Sequence, residues 1–125
     1  MLGNFQHSHL RIEVAAAGQT IRQQLLTPAR LRQWLFPLQF SFQSEDLLRS
    51  GAVFSSTLGL VTVEHRVDWV SDQGIRLILN TGVDGHQEWC WGDGWVQSRL
   101  EGISLLPLNL IQTTNLFRLR LALAA

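Results

Sequence analysis

Apolar and polar side chains alternate with a period of two along most of this chain, and a helical spacing interrupts that alternation in two places. From His7 to Ala15, Leu10, Ile12 and Val14 alternate with His9, Arg11 and Glu13, which predicts a strand with one buried face. Past Gly18 the spacing changes. Thr20 suits the N-cap of a helix from Ile21 to Leu26, and Thr27-Pro28 is the N-cap and first-turn pair that opens a second one. In this second helix Leu31, Trp34 and Leu35 recur at i, i+3 and i+4 while Arg30, Arg32 and Gln33 face water, and Pro37 ends it.

The period of two then returns as a meander. Leu38, Phe40 and Phe42 alternate with Gln39, Ser41 and Gln43, a polar turn runs through Glu45 and Asp46, and Gly51 opens a strand from Ala52 to Leu58. Gly59 separates it from a long strand, Leu60 to Val70, in which Val61, Val63, His65, Val67 and Trp69 share one parity. Ser71-Asp72-Gln73-Gly74 and Gly82-Val83-Asp84-Gly85 are turns on either side of Ile75 to Asn80. Trp89 and Trp91 then alternate with Glu88 and Cys90, Gly92-Asp93-Gly94 makes a hairpin, and Trp95 to Ser104 returns. About seven strands result.

In the tail from Pro107 to Ala125, Phe117, Leu119, Leu121 and Leu123 alternate with Arg118 and Arg120, which suits a strand, but Pro107 as a first-turn residue and the Leu, Arg and Ala-rich finish favour a helix, and the segment is read as one. Its wheel carries two apolar stripes. Leu110, Phe117 and Leu121 are assigned to the sheet; Leu116, Leu119 and Leu123 then need a second cover, either the two short helices or a second copy of the chain in a homodimer.

The order strand, two short helices, antiparallel meander and long final helix resembles the helix-grip fold of the START-like, or SRPBCC, superfamily, which includes polyketide cyclases, lipid-transfer domains and birch-pollen-type allergens. The segment Leu26-Thr27-Pro28-Ala29-Arg30-Leu31-Arg32-Gln33-Trp34-Leu35 is similar to the second helix of that family, opened by Pro and closed by Trp. The resemblance covers residues 1–125 as one α+β helix-grip domain. It implies a curved sheet wrapped round the last helix with a cavity between them, and it implies no particular reaction.

Composition narrows the functions. About 46% of the 125 residues are hydrophobic and 16% charged, so a packed core is expected rather than disorder. Ten basic residues balance ten acidic ones, which argues against gripping nucleic acid or an anionic membrane surface. Every basic residue is Arg, so Schiff-base chemistry and a phosphate-binding lysine are excluded. The lone Cys90 forms neither an internal disulfide nor a structural zinc set. The first residues lack the basic and apolar regions of a signal peptide, and no apolar run approaches the roughly 20 residues of a membrane span. A soluble cytoplasmic chain without a cofactor is expected.

His65 is the leading candidate for chemistry, since its parity aims an imidazole into an apolar interior where it could bond a ligand or act as a base. A core histidine bonded to a protein partner is the competing reading. Trp69, Trp89 and Trp91, with Phe40, Phe42, Phe54 and Phe117, are expected to line a pocket for an apolar ligand, with ordinary core as the competing reading, and Asn109, Gln112 and Thr113 either supply its polar groups or face solvent and cap the helix entrance. His7 with His9, and His86 with Glu88, have metal-ligand spacing but too few ligands, and Cys90 has no base partner. Binding of a lipid, isoprenoid or aromatic ring compound therefore leads, ahead of a protein-interaction domain and of a cyclase-like or hydrolytic enzyme using His65.

Overall fold

A computed structural model describes residues 3–124, so the expectations that touch Met1, Leu2 and Ala125 lie outside the described residues. The elements are β1 (Asn4–Glu13), α1 (Gly18–Leu26), α2 (Pro28–Trp34), β2 (Gln39–Phe42), β3 (Val53–Leu58), β4 (Val61–Ser71), β5 (Gly74–Thr81), β6 (Asp84–Gly92), β7 (Trp95–Ser104) and α3 (Leu108–Ala124). All seven strands join one antiparallel sheet in the order β1-β7-β6-β5-β4-β3-β2. This is the α+β helix-grip architecture: a seven-stranded curved sheet, two short helices after the first strand, and a long C-terminal helix.

Strand alternation reads directly onto the two faces. Leu10 and Ile12, Phe54, Val67, Ile75, Leu77 and Leu79, Trp89 and Trp91, and Val96 and Leu100 turn inward and belong to the core or pack on it. The outer face carries charge. Arg76 Nε lies 3.3 Å from an Asp68 oxygen, and Glu88 sits between Arg76 and Arg99 at 3.6 and 3.9 Å.

Two differences from the periodic reading matter. The β4–β5 register shifts between Val67 and Trp69, so Val67 pairs with Leu77 but Trp69 pairs with Arg76. A bulge inserts one residue and reverses the facing of everything after it. Trp69 therefore leaves the inner face and is 37% exposed, while Val70 takes the inner place and packs on the core. The second difference is at the start of α1, which begins at Gly18 rather than after Thr20; the Gly18 amide donates to Asp93 Oδ1 in the β6–β7 hairpin at 2.7 Å. A cap supplied from 75 residues away is invisible to local sequence rules.

The long helix turns over relative to its expected facing. Leu108, Gln112, Leu116 and Leu119 are buried, whereas Leu110, Phe117 and Leu121 are 62%, 59% and 56% exposed. The two stripes exchange roles, and Leu116 and Leu119 find their cover within the chain. Gln112 decides the phase. Its Nε2 donates to Ser98 O and to Ser98 Oγ, each at 2.9 Å, and its Oε1 accepts from Ser8 Oγ at 2.5 Å. Asn109 Nδ2 adds a bond to Ser8 Oγ at 2.8 Å, and Gln6 Oε1 accepts the Leu108 amide at 3.1 Å, satisfying a free N–H of the first helical turn. These contacts seat α3 on β1 and β7, with α1 and α2 beside it.

Replacing Gln112 by Leu takes the amide donor from buried Ser98 and leaves Ser8 with Asn109 alone, so Gln112→Leu is expected to destabilise the fold by about 2–3 kcal/mol. Asn109→Ala, at an exposed position, should cost under about 1 kcal/mol. Urea denaturation of both variants checks this; equal costs would show that the buried amide does not anchor the helix.

Candidate functional site

Because α3 is seated at the β1–β7 end, its other flank stands away from the rest of the concave face and leaves a cavity of about 440 Å³. Phe54, Val63, Leu77, Leu79 and Trp89 form its floor, and Leu25, Leu31 and Trp34 close one side. Leu108, Ile111, Thr114, Asn115 and Arg118 line it from α3. Lining residues that remain exposed, Leu58, Val61 and Leu110, mark its mouth. The volume lies within the roughly 300–1,000 Å³ common for small-molecule sites. Among the described residues no carboxylate side chain lines it.

His65 lines this cavity, stacked on Phe54 with ring centroids 4.5 Å apart and planes 6° from parallel. Its Nε2 is 3.0 Å from Ser56 Oγ, and its Nδ1 is buried without a hydrogen-bond partner. Burial pushes its pKa down to about 4, so the ring is neutral at pH 7. With one nitrogen engaged and the other shielded, the imidazole offers the cavity an aromatic wall. No acid orients it as a base is oriented in a catalytic dyad or triad.

The structure brings together only some of the residues picked out by periodicity. Phe40, Phe54, His65 and Trp89 line the cavity, and Trp34 meets Trp89 edge-on at 6.5 Å. Phe42 stacks on Phe40 behind that wall, with centroids 5.4 Å apart. Trp69 does not line it, because the β4 bulge turns it to the outer face. Trp91 is on the inner face and fully buried, but in the stretch of β6 that α1 covers rather than at the cavity. Phe117 points to solvent because the helix phase places its stripe outside.

The polar groups also change. Gln112 and Asn109 hold the helix to β1, and Thr113 bonds the Asn109 carbonyl at 2.8 Å, so none of the three lines the cavity. Ser56, Gln87, Thr114, Asn115 and Arg118 do. Ser56 was legible, since it shares the parity of Phe54 on β3; the three α3 residues follow from the helix phase alone.

Other candidate sites do not assemble. His7 and His9 are exposed on the outer face, and His86 faces Glu101 at 3.6 Å instead of joining Glu88. Among the described residues no three His, Cys, Asp or Glu side chains are placed to hold a metal ion. Burial, then the neighbouring Glu88, push the Cys90 thiol above its ordinary pKa, away from the thiolate form. No helix of the described residues is long and apolar enough to cross a membrane.

No protein-family model matches the chain, and no curated protein matches it. Solved structures do. DynU16, a protein of the dynemicin biosynthetic locus, superposes with a TM-score of 0.71 at 16% identity over 95% of this chain, which spans 47% of DynU16. Norcoclaurine synthase from Thalictrum flavum, solved with dopamine and hydroxybenzaldehyde, gives 0.69 at 12% identity, covering 97% of this chain and 87% of that one. The Aha1 dimer from Colwellia psychrerythraea gives 0.69 at 13% identity, covering 94% and 96%. At these identities the likeness shows the fold alone: the chain has the helix-grip fold shared by polyketide cyclase-like and SRPBCC proteins.

The histidine gives a measurable pH signature. Its pKa is about 4 in the folded chain and near 6.5 when unfolded. Between these values the unfolded chain binds a proton that the folded chain does not, so this stabilisation is complete above pH 6.5 and is lost as pH falls toward 4, by no more than about 3 kcal/mol. His65→Phe keeps the stack on Phe54 and removes the titration. Urea midpoints at pH 7.5 and 4.5 should therefore differ less in the variant than in the parent, and equal differences would show that the folded ring protonates freely.

Proposed function

We propose that this chain binds a hydrophobic small molecule, of lipid, isoprenoid or aromatic-ring type, in the cavity between the sheet and α3. The observation that carries this reading is the 440 Å³ space itself, walled by Leu, Val and aromatic side chains and open at Leu58, Val61 and Leu110. An unfilled apolar cavity forfeits dispersion contacts along its whole lining, and an occupant of matching shape restores them. Norcoclaurine synthase, solved in complex with dopamine and hydroxybenzaldehyde, is a protein of this fold that holds small aromatic compounds. An enzymatic reading has less support, since a general base needs a free nitrogen within reach of its proton and His65 has one engaged and one buried.

Leu79 lies on the cavity floor and is 3% exposed. Leu79→Trp directs a larger side chain into that space, so the variant is expected to fold, with an unchanged far-ultraviolet circular dichroism spectrum, yet lose the apolar compound that the parent retains. Native mass spectrometry of both checks this, and equal retention, or none in either, sinks the proposal.

The exposed stripe Leu110, Phe117 and Leu121 supports a second property, self-association through the outer face of α3. Phe117→Glu should lower the sedimenting mass to that of one chain without loss of helix. A parent that sediments as a monomer at high micromolar concentration removes this reading.

A further inference from the structure

Among the described residues, Arg118 is the one ionised side chain that lines the cavity. Its guanidinium donates to the Phe36 carbonyl, which places it where α3 meets the 35–38 segment, whose Leu35, Pro37 and Leu38 also line the cavity. A guanidinium has five N–H donors, and among the described residues no Asp or Glu approaches this one within ion-pair distance. The sequence explains why. Residues 33–44, 50–63, 77–83 and 102–117, which supply most of the cavity wall, contain no charged residue. Thr114 and Asn115 line the cavity from the same helix, and neither side chain is engaged in a hydrogen bond with a described residue. The apolar space thus ends in a cation and two open polar groups, with no anion.

We infer that the ligand is an acidic amphiphile whose carboxylate is held by Arg118 where α3 meets the 35–38 segment, with Asn115 beside it and an apolar body lying over Leu79, Trp89 and Phe54. The inference rests on the cavity-binding reading above and names its ligand class. A neutral apolar ligand gives the guanidinium no partner beyond the Phe36 carbonyl and water. A carboxylate accepts two parallel N–H bonds from it, the charge-assisted geometry in which Arg is strongest.

Decanoate and 1-decanol, below their aggregation limits, separate the cation from the cavity, because they share a chain and differ in the head. Calorimetric titration of the full chain at pH 7.5 should show decanoate binding about tenfold more tightly than decanol. Arg118→Gln should weaken decanoate to the level of decanol and leave decanol unchanged, while Arg118→Lys retains part of the preference. Asn115→Asp, which sets a carboxylate beside the arginine, should also weaken decanoate selectively. Equal affinities in the parent, or equal loss of both ligands in Arg118→Gln and Asn115→Asp, overturns the acidic-ligand inference while leaving the cavity reading in place. Failure of both compounds to bind the parent overturns the cavity reading with it.

Discussion

The buried amide of Gln112 is the contact on which the rest of this structure turns. A helix with two apolar stripes can lie on a sheet in more than one rotation with similar burial of hydrocarbon. Gln112 removes that freedom, because only one rotation lets it serve Ser8 and Ser98 at once. In a low-dielectric interior a satisfied polar network specifies geometry, since the alternatives strand its members. Once the helix is seated on β1 and β7, its opposite flank stands clear of β2 to β5. The cavity is the volume left by that choice.

The sheet contributes the other half of the shape. At Gly85, a Cβ would lie 1.9 Å from the Glu101 carbonyl oxygen, and at its strand partner Gly102 a Cβ would lie 2.7 Å from the Asp84 carbonyl oxygen and 3.0 Å from Val83. Neither position has room for a side chain, so the two facing glycines let β6 and β7 pair here. In β4 the bulge between Val67 and Trp69 adds local twist and switches Trp69 outward. Had the alternation continued unbroken, the indole would have been directed into the core.

The chemistry of the cavity is sparse. Its histidine is neutral and held by Ser56, its floor is hydrocarbon and aromatic, and its open polar groups lie on one side of α3. Structures with the same fold carry different activities, so the side chains in the cavity, and not the sheet or the helix, define what it accepts. In this chain those side chains combine a broad apolar surface with a single cation.

Period-two alternation and turn residues were enough to place seven strands, because each strand with one buried face must repeat every second residue, and helical spacing with N-cap and Pro signals placed the three helices. The same parity placed Phe40, Phe54, His65 and Trp89 at the cavity. It failed where backbone register or helix phase enters. Trp69 was misplaced by one inserted residue, and Phe117 by a helix whose two stripes are equally apolar. Local sequence specified which residues share a face, since that follows from backbone geometry alone. Which face of α3 meets the sheet, and therefore that Thr114, Asn115 and Arg118 line the cavity, was decided by hydrogen bonds between Gln112 and residues 104 and 14 positions away, formed only when the chain is folded.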